Sequence, residues 1–460
     1  MFLETFRSEG LAHLSYLFGD GGEAAVVDPS RDIDRYLRAA RAEDCRITHV
    51  FETHRNEDYL VGSREIARRT GATIHHGRGL DWKYGETAGD GDTFRVGPVE
   101  VRVLATPGHT DESLSFAIAD TATGKDPIAV FTGDSLFIGS VGRTDFYPDR
   151  AREVAGLLFD SIHETLLPLG DGVILLPAHG AGSVCGGGMA PRDFSTLGYE
   201  RRNNPMLQLD RDAFIRAKTT ERHEQPPYFR RMEVRNLAGD APPLDALTEP
   251  APMTADRFAE AMEDGLVALD VRSPEAVAGA FVPGSVAIPL DMLATYAGWF
   301  VPDDPPLGLI AEKDDRGAVP EARLILARMG FERVAGYLAG GLDGWETSGR
   351  RYGRIPAVHV DELARRLEAK DPPVLLDVRT RDEVDEQALR DALHVPLREL
   401  IERLDEIPRD RPVVAFCGTG RRSLIAASLL KREGYEEVAD ALGSLSACVA
   451  AGCPLLAKEP

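Results

Sequence analysis

Four short segments of this chain place histidine or aspartate directly behind apolar runs. Val50-Phe51-Glu52-Thr53 leads into His54-Arg55-Asn56-Glu57-Asp58-Tyr59, and Val101-Arg102-Val103-Leu104 into Thr106-Pro107-Gly108-His109. Ile128-Ala129-Val130-Phe131 leads into Thr132-Gly133-Asp134, and Ile174-Leu175-Leu176 into Pro177-Ala178-His179. Imidazole and carboxylate are common ligands of catalytic metals. A short apolar, β-rich run reads as a buried strand. Loops that follow such strands gather at one edge of a sheet, where function concentrates. The spacing therefore predicts a metal centre at a sheet edge in the N-terminal part of the chain.

A second chemistry sits near the C-terminus. Val413-Val414-Ala415-Phe416 reads as a buried strand, Leu424–Lys431 as a helix, and Cys417-Gly418-Thr419-Gly420-Arg421-Arg422-Ser423 joins them. A thiol at a helix N-terminus meets backbone N–H groups and the positive end of the dipole. With Arg421 and Arg422 beside it, the thiolate, the reactive form, is favoured. The N–H groups of Gly418, Thr419 and Gly420 can also cradle an anion or a persulfide sulfur.

The elements that must position these groups fall into three parts. A chain of 460 residues implies about three domains. Residues 1–235 hold every metal-site segment, with helical runs at 31–42 and 63–70, the second stopped by Gly71. A Pro-bearing stretch over 236–253 reads as linker. The remainder contains an internal repeat over 254–352 and 356–460. Leu269-Asp270-Val271-Arg272 recurs as Leu376-Asp377-Val378-Arg379, and Arg328-Met329-Gly330-Phe331 as Arg432-Glu433-Gly434-Tyr435. Strands alternating with helical runs imply an α/β fold with a parallel sheet in each copy. Residues 251–355 contain no Cys, so the first copy is expected to be catalytically silent.

Hydrophobic content of 43% with 28% charged residues fits an ordinary globular protein. The net charge of −22 argues against nucleic acid and anionic membrane as partners. The five cysteines show no disulfide framework, which fits a reducing cytoplasm. Cys45, Cys448 and Cys453 are expected to fill space. No secretory signal and no membrane-spanning stretch is visible.

The four N-terminal segments resemble the metallo-β-lactamase superfamily, whose fold is an αββα sandwich. The resemblance implies a first motif T-H-x-H-x-D-H, of which Asn56 and Tyr59 replace two histidines. His54, His109 and Asp134 then remain as one intact ligand set. Two histidines and a carboxylate with open positions suit mononuclear Fe(II) and O2. The repeat resembles the rhodanese sulfurtransferases. Cys417 and Arg422 have C-x4-R spacing, where phosphatases of related architecture use a longer C-x5-R loop.

Together with Gly142-Arg143-Thr144-Asp145-Phe146, the resemblance narrows to the persulfide dioxygenases, the iron branch of the superfamily, fused to tandem rhodanese domains. It implies one Fe(II) per chain, oxidation of a low-molecular-weight thiol persulfide by O2 to sulfite and thiol, and sulfane-sulfur transfer through Cys417 to or from thiosulfate. Asp58, Tyr59, His179 and Arg143 become candidates to orient ligands, bind substrate or relay protons. Cys185, in a Gly-rich loop, is a candidate to guide a persulfide. A homodimer or homotetramer is the family expectation. The alternatives are a glyoxalase-II-like thioesterase and a non-catalytic sulfur carrier or sensor.

Overall fold

The apolar runs form strands, and their ends face the same way. The computed structural model describes residues 1–183, 187–313 and 317–456. The chain divides into two compact units, Met1–Leu247 with Leu324–Phe331, and Thr248–Arg323 with Glu332–Pro460.

The first unit is a four-layer αββα sandwich. One sheet runs β1 (Phe2–Ser8), β2 (His13–Asp20), β3 (Glu23–Val27), β4 (Arg46–Phe51), β5 (Thr73–His76), β6 (Glu86–Thr87) in spatial order. The other contains β7 (Thr93–Val96), β8 (Val99–Ala105), β9 (Leu114–Asp120), β10 (Ala129–Gly133), β11 (Ile174–Pro177) and β12 (Ser195–Thr196), ordered from β12 back to β7. Strands β2 and β3 are buried along nearly their whole length, and so is the Val50–Phe51 end of β4, from which His54 follows. Tyr16, Phe18, Val27 and Phe51 of one sheet pack against Val101, Val103, Phe116 and Phe131 of the other. Helices Asp34–Ala42 and Ser63–Thr70 cover the outer face of the first sheet through Tyr36, Ala40 and Ile66. Helices Ala151–Asp160 and Arg211–Thr220 cover the second through Leu158 and Phe214. Gly71 ends the helix Ser63–Thr70 at φ +78°, a conformation that favours glycine. Residues 236–238, expected as linker, are the last turn of the helix Phe229–Ala238.

The second unit contains two five-stranded parallel sheets. The first is ordered β13 (Ala251–Met253), β17 (Val334–Leu338), β16 (Leu307–Ile310), β14 (Val267–Asp270), β15 (Val286–Ala287). The second is ordered β18 (Ala357–Val358), β22 (Val438–Ala441), β21 (Val413–Phe416), β19 (Val374–Asp377), β20 (Leu393–His394). The repeated Asp-Val-Arg has one structural job in both copies. Arg272 makes a two-pronged pair with buried Asp270 and donates to the Ala280 carbonyl; Arg379 does the same with Asp377 and Gln387.

Cys448 and Cys453 form a disulfide, with Cα atoms 4.8 Å apart, which corrects the expectation that they merely fill space. The helix Ser444–Ala450 ends and the chain turns back, bringing Cys453 N–H onto the Cys448 carbonyl at 2.9 Å. The spacing carries no CxxC signature, so only the turn shows the pairing. The absence of disulfides, which underlay the expectation of a reducing cytoplasm, does not hold. Among the described residues no helix is long and apolar enough to cross a membrane.

Candidate metal centre and thiol loop

Each ring at the end of the sandwich is held by a neighbour that fixes its tautomer. His54 follows β4. The N–H and hydroxyl of Thr53 both donate to the Asp28 carboxylate, at 2.8 and 2.7 Å, so the Thr53 oxygen is left to accept from His54 Nδ1 at 2.8 Å. The proton then sits on Nδ1 and the Nε2 lone pair faces the site. His109, in the loop after β8, donates from Nδ1 to the Arg143 carbonyl at 3.0 Å. Its Nε2 likewise points inward. Asp134 follows β10 and accepts from His179 Nδ1 on one oxygen at 2.7 Å. Its other oxygen lies 3.9 Å from His54 Nε2 and 3.6 Å from His109 Nε2.

These three inward atoms are buried and have no hydrogen-bond partner. All lie within 4.8 Å of one another. Buried lone pairs left unsatisfied cost free energy, and a cation satisfies all three at once. The donor set, two imidazole nitrogens and one carboxylate oxygen, suits a divalent transition metal with open positions. For His54 and Asp134 the electrostatics agree. Burial pushes His54 down to about 4, so the ring is neutral and able to donate its lone pair. Burial opposes ionisation of Asp134, yet the surrounding histidines outweigh it and hold the carboxyl well below its usual range.

His179 is differently placed. Its Nδ1 donates to Asp134 and its Nε2 to Asp58 at 3.0 Å. Burial disfavours a charge there, but the two carboxylates outweigh it and raise His179 well above its ordinary value. A ring that donates from both nitrogens is an imidazolium with no lone pair to give a metal. Tyr59 is buried, donates to the Asp28 carbonyl at 3.3 Å, and packs tilted against His13 with 4.0 Å between ring centroids. Its hydroxyl supports the Asp28–Thr53–His54 chain. The Arg143 guanidinium is fully buried and bound by both oxygens of Asp145. What it offers His109 is its backbone carbonyl. Cys185 lies outside the described residues.

Three side chains had no role in the sequence reading. Glu57 Oε1 stands 3.5 Å from His109 Nε2. Burial opposes a charge on His109, but Glu57 and Asp134 outweigh it and raise the ring. His13 opens β2, fully buried, with its ring centroid 5.7 Å from that of His179. Asn236 donates to the carbonyls of Asn56 and Tyr59 at 2.7 and 2.8 Å and accepts from Val61 N–H, pinning the loop that carries His54. A histidine at the head of a largely buried strand was a visible signal for His13. Nothing local marked Asn236, which lies far along the chain.

In the second unit Cys417 follows β21 and is buried. The Gly420 N–H donates to its sulfur at 3.1 Å, and the Ser423 hydroxyl lies 3.4 Å away. Gly420 has φ +94°, and a Cβ there would stand 2.9 Å from the Gly443 nitrogen, so only glycine lets the loop close this tightly. The carbonyls of Cys417 and Gly418 accept from Leu445 and Ser446 at the start of the helix Ser444–Ala450. Both arginines are already engaged. Arg422 makes a two-pronged pair with Glu383 at 2.7 and 2.6 Å, and Arg421 is bound to Asp291 of the first copy. The expected pair of bare positive charges is therefore a pair of ion pairs, because both carboxylates come from distant parts of the chain.

Comparison with known proteins agrees with this fold. Residues 9–179 match the metallo-beta-lactamase superfamily, and residues 254–348 and 359–451 each match the rhodanese-like domain. The mitochondrial persulfide dioxygenase ETHE1 of Bos taurus is 29% identical over 211 residues, 44% of this chain and 74% of that protein. The hydroxyacylglutathione hydrolase GloC of Haemophilus influenzae is 25% identical over 215 residues, 42% of this chain and 91% of that protein. A solved structure described as a metallo-beta-lactamase from Staphylococcus aureus subsp. aureus COL shares 32% identity, with a TM-score of 0.65. The match covers 74% of this chain and 98% of that one. Similarity across nearly all of that structure, on top of a buried two-histidine, one-carboxylate cluster in an αββα sandwich, places this chain in the metallo-β-lactamase superfamily, with two rhodanese-like domains following its metallo-β-lactamase domain.

Proposed function

We propose that the chain is an Fe(II)-dependent persulfide dioxygenase that also transfers sulfane sulfur through Cys417. The overall reaction is R–S–SH + O2 + H2O giving R–SH, sulfite and two protons. The observation that carries this reading is one converging set of two imidazole nitrogens and a carboxylate oxygen among the described residues. His54 Nε2, His109 Nε2 and one Asp134 oxygen converge, while His179 is committed to Asp134 and Asp58 through both nitrogens. A two-metal hydrolytic centre needs ligands for a second ion, and here Asn56 and Tyr59 stand where the superfamily pattern has histidines.

His54, His109 and Asp134 would hold one iron, which when bound supplies a site where a persulfide sulfur and O2 meet. The protein's own part is orientation and proton movement. Thr53 and the Arg143 carbonyl keep both imidazoles in the tautomer that presents Nε2. His179 holds the outer oxygen of Asp134, leaving the inward oxygen free for the ion, and through Asp58 it could pass on a proton of the reaction. Glu57 beside His109 adds negative charge that favours a cation in the site.

The test is anaerobic purification, metal analysis, and O2 uptake with several low-molecular-weight persulfides. Stoichiometric iron with sulfite formation supports the reading. Zinc, no O2 uptake and thioester cleavage would make the chain a hydrolase of the kind its likeness to GloC represents.

A further inference from the structure

The copy without a cysteine meets the thiol loop with a carboxylate. The helix Arg421–Arg432 begins where the loop ends and packs on β15 of the silent copy. Ser428, buried on that helix, accepts from the Ala287 N–H at 3.2 Å. Arg421 stands seven residues before Ser428, about two helical turns, and so lies on the same face. Beyond β15 the chain passes through Pro289 into the turn Leu290–Met292, which sets Asp291 opposite Arg421. One guanidinium nitrogen of Arg421 donates to both oxygens of Asp291.

The place of this contact matters more than its strength. Arg421 follows Gly420, whose N–H holds the Cys417 sulfur at 3.1 Å. The neighbouring arginine is cancelled as well. Arg422 is paired with Glu383, and a Cβ on Gly418 would stand 3.2 Å from Arg422 Nη2 and 4.0 Å from Glu383 Oε1. Both cations of the loop therefore face a carboxylate. The Arg421 and Asp291 side chains are 43% and 63% exposed. Such a pair adds little to stability, but charges this close to an entering anion act within the screening length of about 10 Å at 0.1 M salt.

The second copy offers an internal comparison. Ala287-Ile288-Pro289-Leu290 recurs as His394-Val395-Pro396-Leu397, so Asp291 corresponds to Arg398. Arg398 lies over the Trp299 ring of the silent copy, 5.3 Å from its centroid. The same turn carries an acid where it meets the thiol loop and a base where it meets the copy that has no thiol.

We propose that Asp291 is a specificity-determining residue of sulfur transfer: by cancelling the Arg421 charge it disfavours the thiosulfate dianion as donor relative to singly charged thiol persulfides. This rests on the reading of Cys417 as the sulfur carrier. With either donor the Cys417 thiolate attacks the outer sulfur. A new S–S bond forms, the donor's S–S bond breaks, and the leaving thiolate or sulfite takes the electron pair. No external oxidant or reductant is needed. A dianion gains twice what a monoanion gains from an uncancelled positive charge, and Asp291 withholds that gain.

The test compares kcat/KM for thiosulfate with that for the persulfide of β-mercaptoethanol, whose one charge is on sulfur, with cyanide as acceptor. The assays are anaerobic, so that the metal centre does not consume the persulfide. At low ionic strength Asp291→Asn should raise kcat/KM about fivefold for thiosulfate and about twofold for the persulfide, and both gains should vanish near 1 M salt. Arg421→Gln should move the ratio of the two donors the opposite way, and the double variant should restore it. A donor ratio that Asp291→Asn leaves unchanged, or a gain that survives high salt, overturns the proposal. A second readout needs no sulfur transfer: the rates at which Cys417 is alkylated by anionic iodoacetate and by uncharged iodoacetamide, followed on its own peptide by mass spectrometry. Asp291→Asn should raise the ratio of those rates about twofold, and an unchanged ratio counts against the proposal equally. Wild-type protein that transfers no sulfur yet shows this alkylation shift would sink the carrier reading and leave the charge control by Asp291 standing.

Discussion

The metal centre and the thiol loop solve one problem by opposite routes. Both bury a reactive group just past the end of a strand. The metal centre draws His54, His109, Asp134 and His179 from four separate loops, and each ring depends, directly or for His54 through the adjacent Thr53, on a residue elsewhere in the chain. The thiol loop is one contiguous segment whose sulfur is held by a glycine N–H three residues on. Convergent sites take their precision from the scaffold, and contiguous ones from local backbone geometry. They should therefore fail in different ways.

The largest difference comes from removing each reactive group. His54→Ala should lose iron and lower sulfite production by on the order of 1,000-fold or more, while sulfur transfer from thiosulfate persists. Parallel assays on one preparation read both activities. Equal loss of both would mean that the two centres are not separable.

Cys417→Ser is the mirror image. It should abolish sulfur transfer and leave O2 uptake with a persulfide within about twofold of wild type. Loss of O2 uptake would show that the iron site depends on sulfur delivered through Cys417.

Partners that only orient a group should matter less. Asp58→Asn removes the carboxylate that holds the far side of His179, and a drop of about 10- to 100-fold in iron affinity or turnover is expected. Equilibrium dialysis against iron separates the two. An unchanged protein would reduce the Asp58–His179 pair to a structural role.

The smallest effect belongs to the ion pair beside the thiol. Arg422 holds Glu383 down to about 2 from a reference value of 4.5, against the opposing effect of burial. A carboxyl lowered on folding stabilises the fold fully above its unfolded value and loses that contribution as pH falls through its folded value. The pair is part-exposed, so solvent screening leaves about 1 kcal/mol. Glu383→Gln should therefore melt below wild type at pH 7. The gap should close as pH falls from 4.5 towards 2. A gap that persists in acid would assign the effect to lost packing.

The same contrast explains what was legible in the sequence. The Cys417 loop was readable because strand, glycines, thiol and helix follow one another, and local rules act within one stretch. The helix over 63–70 and its stop at Gly71 were readable for the same reason. The histidine-bearing loops could be recognised singly, since each follows an apolar run. The approach of Glu57 to His109, His13 beside Tyr59, and the grip of Asn236 on the His54 loop could not. Nor could Arg421 be seen to meet Asp291, because adjacency in the chain does not determine where a long side chain finds its counter-charge.

By itself the sequence determined the strands, the repeat, the thiol loop and the inventory of possible ligands, because hydrophobic periodicity and turn chemistry act over a few residues. Only the tertiary structure decided which lone pairs stay free. His54 and His109 present theirs to the same point as one Asp134 oxygen, whereas His179 gives up both nitrogens to carboxylates. A ring's tautomer is set by what touches its other nitrogen; for His109 and His179 that contact comes from distant residues, and for His54 the adjacent Thr53 is itself oriented by distant Asp28.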